Sequence, residues 1–167
     1  MPLTKLNATL GLTGSLPAVS GANLTNIDAG KVLQVSSGSF SSQASTTSNS
    51  YVDANSSTNL DFTCSATSSK VLIIAEFHGC YLNGTHAFFT RVLADSTEVL
   101  RTDYNIHLPQ YNGEKLFNNT ETFLYSPSST SQITYKLQFA STSNGQTVRL
   151  NQNSKPATSL ILMEIGA

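Results

Sequence analysis

The residues of this chain that could do chemistry are few and widely spaced. His78, His86 and His107 are its three histidines, and the first two lie on either side of a loop that contains glycine. Imidazole is a common ligand of zinc and other transition metals, so a surface metal site is one hypothesis. No carboxylate stands at a matching spacing, and ordinary loop histidines are the favoured interpretation. We therefore predict no metal ion and no cofactor.

Two acidic residues interrupt otherwise apolar segments. Glu76 lies near the end of Lys70–Phe77, and Glu164 lies near the end of Ser159–Ile165. A lone buried carboxylate is costly, so we expect each to reach an arginine, a lysine or water. An alternative hypothesis is a ring of three such glutamates that binds a cation on a threefold axis.

The motifs of catalysis and of nucleic-acid binding are absent from the sequence. Serine is abundant, but no Gly-x-Ser-x-Gly, His-Glu-x-x-His, Cys-x-x-Cys, EF-hand loop or phosphate-binding loop is present. The ten acidic residues show no pair whose spacing indicates glycoside hydrolysis. The net charge of −1 gives no basic footprint for nucleic acid. We expect a protein that is not an enzyme and that binds no nucleic acid.

The two cysteines are predicted to be free thiols. If residues 67–69 form a turn, Cys64 precedes the strand Lys70–Phe77 and Cys80 follows it. A strand of that length separates the two residues by about 20–25 Å. A disulfide requires Cα atoms within about 7 Å, so the bridge is disfavoured and Cys64 is expected to be buried.

The chain is organised around two strands, Lys70–Phe77 and Ser159–Ile165, that are apolar on both faces. Such strands are covered on both sides, and a small β-domain has little chain for that purpose. The missing cover is predicted to be a second copy of the protein, although the polar tract Ser36–Ser50 or the N-terminal leucines are alternatives. The candidates for the core or for a trimer interface are Val71, Ile73, Ile74, Leu160, Leu162 and Ile165.

Residues 31–167 are predicted to form one all-β domain. Alternating apolar residues, with turn signals such as Asn144-Gly145, predict roughly eight to ten strands and no helix of normal length. The fold class is a two-sheet antiparallel jelly-roll-like sandwich. Tyr104–Asn119 is predicted to be the longest irregular stretch and the ligand loop. Its candidate ligand-binding residues are Tyr104, His107, Tyr111 and Phe117.

Residues 1–30 differ in kind from the rest and are predicted to form an extended N-terminal arm, with a disordered terminus as the alternative. Aliphatic residues recur every two to five positions, while glycine and proline interrupt any long helix. Met1–Leu12 has no continuous apolar run, so we expect no signal peptide, and no segment is long enough to span a membrane. The candidate attachment residues of the arm are Leu3, Leu6, Leu10, Leu12, Leu16, Val19, Leu24 and Ile27.

The segment Leu12–Ile27, followed by Gly30–Val35, resembles the short connecting motif of bacteriophage tail-fibre and related virion proteins. This resemblance implies that a C-terminal β-domain follows. It also implies trimeric jelly rolls of the complement and tumour-necrosis-factor type, in which the last strand lies on the inner sheet near the threefold axis.

Two functional hypotheses follow. The first is a structural protein of a bacteriophage particle, a short homotrimeric fibre or capsid decoration protein whose arm attaches to capsid or tail. Its expected location is the virion. The alternative is a lectin-like receptor-binding module of a tail fibre that binds host surface glycans and so serves host attachment.

Overall fold

The computed structural model describes residues 31–84, 87–104, 113–154 and 157–166. The predicted arm, with all eight of its candidate attachment residues, lies outside these ranges, as do His86, His107 and Tyr111.

Eleven strands run through the described part of the chain, with two short 3-10 turns at Ser56–Thr58 and Gln152–Ser154. No α-helix occurs in these ranges. The strands are β1 Val32–Phe40, β2 Ala44–Thr46, β3 Val52–Asp53, β4 Leu60–Phe62, β5 Lys70–Asn83, β6 Phe88–Ala94, β7 Thr97–Tyr104, β8 Glu114–Tyr125, β9 Ile133–Ser141, β10 Val148–Leu150 and β11 Thr158–Ile165.

The strands form two antiparallel sheets. Sheet A has the order β1-β11-β5-β8, and β10 with β2 continues it beside the second half of β5. Sheet B has β9 beside β6 and β6 beside β7, with β3 and β4 both paired to the other edge of β9. If β3 and β4 are counted as one strand and β2 and β10 are omitted, eight main strands remain, which can be numbered 1 to 8 along the chain. In that numbering the order is 1-8-3-6 in sheet A and 2-7-4-5 in sheet B. This is the arrangement of a jelly roll, so the predicted fold class is confirmed.

The core lies between the two sheets and takes one face of each strand. In β5, Val71, Ile73 and Phe77 have no exposed surface, whereas Leu72 and Ile74 point away from sheet B and are half-buried. Full burial of an apolar side chain such as Val71, Ile73 or Phe77 stabilises the fold by about 1.5–3 kcal/mol. Within one chain, β5 is therefore covered on its inner face, and its outer apolar residues remain open.

A bulge at Gly79 lets β5 continue beyond the predicted end at Phe77. The pairing of β5 with β8 shifts between Phe77 and Cys80, and Gly79 has a φ of +52°. A Cβ on Gly79 would lie 2.9 Å from the backbone nitrogen of Gln152, so the position requires glycine. The extra residue shifts the inward-facing positions by one, from odd-numbered residues up to Phe77 to the even-numbered Cys80 and Leu82, which lie in the core.

The long β5 also changes the interpretation of Tyr104–Asn119. Residues 114–119 were expected to be irregular, but they belong to β8 and pair with residues 77–83 of β5. Glutamate, lysine and asparagine, which supply four of these six residues, are depleted in strands, and pairing along the whole edge of β5 overrides that preference. That part of the loop prediction was wrong.

Both cysteines are free thiols and Cys64 is buried, as predicted, and the structure shows that Cys80 is buried as well. Burial raises the pKa of the two thiols, and that of Cys80 rises to about 12. A thiol with so high a pKa is a poor nucleophile, because the thiolate is the reactive form.

Candidate functional site

The outer face of sheet A carries a continuous apolar row. Val35 is the cross-strand partner of Met163, Met163 is the partner of Leu72, and Leu72 is the partner of Leu124. The row thus crosses β1, β11, β5 and β8 in one line. Its two end residues are well exposed, Val35 by 57% and Leu124 by 46%. Aliphatic side chains aligned in this way form a patch rather than scattered surface residues.

The next row along the same face has an apolar centre with polar ends. Ile161 and Ile74 are cross-strand partners, and they are flanked by Ser37 on β1 and Thr122 on β8. Ile161 and Ile74 are half-buried and point away from sheet B. The apolar patch therefore extends over two rows.

The third row is polar throughout. Ser39, Ser159, Glu76 and Thr120 are consecutive partners across the four strands. Glu76 Oε2 accepts a hydrogen bond of 2.6 Å from Ser159 Oγ and lies 4.0 Å from His78 Nε2. The outer face of sheet A is consequently divided into an apolar half, near the start of β1, and a polar half.

The predicted core or interface residues divide between the two faces of sheet A. Val71, Ile73, Leu160 and Leu162 lie in the core with no exposed surface. The outward-facing candidates are Ile74 and Ile165. The sequence predicted that both faces of these strands are apolar, but it did not assign each residue to the core or to the outer face. The pairing of the strands makes that assignment.

Glu164 lies on the inner face of β11, where it is 99% buried. Its carboxylate accepts hydrogen bonds from the Ser65 N–H at 2.7 Å, from Ser65 Oγ at 2.6 Å and from Gln34 Nε2 at 2.7 Å. The expected arginine, lysine or water is replaced by these neutral donors. The Glu164 side chain points between the two sheets. It therefore cannot belong to a ring of three glutamates on a threefold axis outside sheet A.

The pKa of Glu164 reflects this environment. Burial alone would raise the pKa, but the Ser65 hydroxyl, Ser69, the Ser65 N–H and Gln34 outweigh it and lower the pKa to about 2. The Ser69 Oγ is buried and has no hydrogen-bond partner among the described residues, and the dipole of its hydroxyl lowers the pKa of the nearby carboxyl. The carboxylate is therefore charged and structural, and nothing adjacent gives it a role in proton transfer.

The histidine and ligand-loop candidates do not form a site in the described residues. His78 lies on the outer face of sheet A beside Glu76. No group of three possible metal-ligating side chains occurs in the described ranges. Phe117 lies within β8, where its ring packs edge-on against Phe88 at 5.7 Å, and Tyr104 ends β7. Phe117 therefore contributes to packing against the core.

The outer face of sheet B carries an aromatic and arginine cluster that the sequence analysis did not identify. The rings of Tyr51 and Phe89 are 6.5 Å apart, and the guanidinium of Arg91 lies 4.1 Å from the Tyr51 ring centre. Arg101 lies 6.0 Å from Tyr51 and 5.9 Å from Phe89. The available signal was the hairpin around residues 95–97, which places Arg91 opposite Arg101.

This cluster, Tyr51, Phe89, Arg91 and Arg101, is fixed by polar neighbours. Arg91 Nε donates to Gln138 at 2.7 Å, and Arg91 Nη1 donates to Glu98 at 3.1 Å. The result is a surface of rings and planar hydrogen-bonding groups, with Arg91 held by two hydrogen bonds, on the side of the sandwich opposite the apolar rows.

Comparisons with known proteins leave the family open. No protein-family model matches the chain. No curated protein matches it at a significant level. Among solved structures, it is similar to a mutant VP2 protein of infectious bursal disease virus in derived T=1 particles, with 14% identity and a TM-score of 0.38. The match covers 89% of this chain and 40% of that one. We draw no functional conclusion from a likeness at that level.

None of the helical segments in the described residues is long and apolar enough to cross a bilayer.

The described residues thus form a jelly-roll domain with apolar rows on the outer face of sheet A and an aromatic and arginine cluster on the outer face of sheet B. The apolar rows have no catalytic group among them. What this arrangement can do is exclude water against a matching apolar surface.

Proposed function

We propose that this chain is a non-enzymatic structural protein of a bacteriophage particle, a short homotrimeric fibre or capsid decoration protein. In this proposal the jelly roll is displayed on the virion, and residues 1–30 attach it to a capsid or tail protein. The observation that carries the proposal is the apolar row Val35–Met163–Leu72–Leu124 on the outer face of sheet A.

The apolar row supports self-association because its exposure is costly in water. Removing apolar surface from water is worth about 25 cal/mol per Å², and the patch is a contiguous area rather than isolated side chains. Identical copies related by cyclic symmetry present the same patch to one another. The number three comes from the sequence resemblance, which implies trimeric jelly rolls of the complement and tumour-necrosis-factor type.

The position of Lys31, where residues 1–30 join the domain, supports attachment through the arm. The Gly166 N–H donates to the Lys31 carbonyl at 2.9 Å, and Val32 is the partner of Ile165. The arm therefore joins the domain at the same end as the apolar half of the face. Copies that assemble through this face bring their arms together at one end, as a fibre or decoration base requires.

The first experiment is light scattering on the purified full-length chain. We expect a particle of three times the 17.8 kDa chain mass. A monomer that persists at high protein concentration would contradict the assembly. Removal of residues 1–30 should leave the trimer intact and abolish association with particles.

A second candidate function, binding of host glycans, is favoured by the cluster on sheet B. Aromatic rings beside planar polar side chains provide stacking surface and fixed hydrogen-bond donors. We expect Phe89→Ala and Arg101→Ala to reduce glycan binding in an array. Thr122→Ala on the opposite sheet is the matched control. An array without signal for the unmodified protein would contradict this function and leave the structural role intact.

A further inference from the structure

An open pocket lies at the end of sheet A beside the apolar rows. Its volume is about 270 Å³, and it is lined by Ser68, Lys70, Leu124, Ile165 and Gly166. Leu124 and Ile165 supply aliphatic walls, and the methylene stem of a lysine is apolar as well. Lys70 also carries an ammonium group, which attracts a negative charge. The pocket is thus suited to an aliphatic side chain with a negatively charged group beside it.

The N-terminal arm joins the domain close to this pocket. Lys31 is hydrogen-bonded to Gly166, which is itself part of the lining. Val32 faces Ile165 across the first strand pair. From β1 to β5, at the middle of the pocket, is two strand spacings, or about 10 Å.

Ile27 is the first large aliphatic residue before the domain, and its distance along the chain matches the pocket. Three residues separate it from Lys31. The four residue-to-residue steps between Ile27 and Lys31 span up to about 13–14 Å in an extended chain. Gly30 and Asp28, which stand between them, are residue types that turns favour. The chain between Ile27 and Lys31 is therefore long enough to cross the strand ends.

Charge complementarity agrees with this placement. Asp28 is the one acidic residue in positions 1–30, and it directly follows Ile27. Lys70 lines the pocket and is exposed. An aliphatic residue next to a carboxylate meets an aliphatic pocket next to an ammonium group.

We infer that Ile27 docks in the pocket of its own chain, with Asp28 beside Lys70, and that this contact fixes the direction in which the arm leaves the domain. Ile27 then holds the arm to the jelly roll, and the more distant aliphatic residues of the arm remain for attachment. This inference goes beyond the proposed function, because it concerns a contact within one chain and does not require a trimer.

A cysteine pair in the full-length chain tests the contact. Cys64 and Cys80 are buried, so Ile27→Cys with Leu124→Cys introduces two accessible thiols. A disulfide requires Cα atoms within about 7 Å, and we expect mild oxidation to form it in most chains. The matched control is Leu16→Cys with Leu124→Cys, which should react at least tenfold more slowly.

The outcomes separate this inference from the proposed assembly. Mixing chains of two isotopic compositions before oxidation distinguishes a bond within one chain from a bond between chains. Equal rates for the two pairs, or bonds found mainly between chains, would overturn the docking. A bond within one chain in a monomeric protein would support the docking while contradicting the trimer.

Discussion

Ser65 and Glu164 are joined by two hydrogen bonds across 99 positions of sequence, one from the Ser65 N–H and one from its hydroxyl. They connect the segment between β4 and β5 to the last strand. Gln34 adds a third donor and also donates to the Thr63 carbonyl at 2.6 Å. One buried carboxylate thus links β1, β11 and the segment between β4 and β5.

Replacement of this carboxylate should weaken the fold. Glu164→Gln removes the charge and places an amide donor near the existing donors, so at least one hydrogen bond is lost. Hydrogen bonds to charged groups contribute about 1.5–3 kcal/mol, and we expect a loss of about 2–3 kcal/mol in the free energy of unfolding. Glu76→Gln, at a position 36% exposed, is the control and should change stability by under about 0.5 kcal/mol. Urea denaturation measures both, and equal losses would contradict the structural role of Glu164.

The same carboxylate should make stability depend on pH in the acidic range. Its pKa is lowered in the folded state to about 2 from 4.5, so the folded protein favours the charged form. The contribution is fully present above pH 4.5 and is lost as the pH falls towards 2. A shift of that size corresponds to about 3 kcal/mol. Comparison of the wild type with Glu164→Gln between pH 6 and about pH 2 should show their stability difference shrinking. A constant difference would contradict the assignment.

Two neighbouring residues of β5 should respond differently to the same substitution. Ile73 has no exposed surface and faces sheet B, so Ile73→Lys buries an unpaired charge and should prevent folding. Ile74 points to the outer face, so Ile74→Lys should fold with a normal far-UV circular dichroism spectrum. Light scattering should then report a monomer. A trimeric Ile74→Lys variant would exclude this face as the interface.

The bulge in β5 can be tested with two glycines that both have positive φ. Gly79 has a φ of +52° and a Cβ there would lie 2.9 Å from Gln152, whereas Gly145 has a φ of +82° and open space around it. Gly145→Ala should cost about 1 kcal/mol for its backbone conformation alone. Gly79→Ala adds a steric clash and should cost about 2–4 kcal/mol. Thermal unfolding of the two variants measures the difference, and equal costs would contradict the close packing at Gly79.

The strands and their class could be predicted because alternation is a local property. Ile133, Tyr135, Leu137 and Phe139 alternate with polar residues, and they do form β9 with Tyr135, Leu137 and Phe139 in the core. The jelly-roll class needed in addition the number of strands, the need to protect sheet edges and the resemblance to trimeric jelly rolls, whereas the order of the strands was not predicted.

The remainder depends on pairings between distant segments. Nothing near Glu164 in the sequence indicates Ser65 or Gln34 as its partner, because both lie on other strands or loops. Gly79 in an apolar stretch was a signal for a bulge, but its effect on Cys80 depends on the partner strand β8. The cluster around Tyr51 likewise combines residues from separate strands.

The division of sheet A into apolar and polar halves gives any assembly a direction. Two copies that pack these faces together in opposite directions, with full overlap, would set the apolar rows of one copy against the polar row of the other. That polar row is Ser39, Ser159, Glu76 and Thr120. Copies that all point the same way match like with like. The product then has a base, where every chain enters its domain, and a distinct tip at the opposite end. An assembly whose subunits all share one orientation can attach to a surface through its base and expose the loops at its tip.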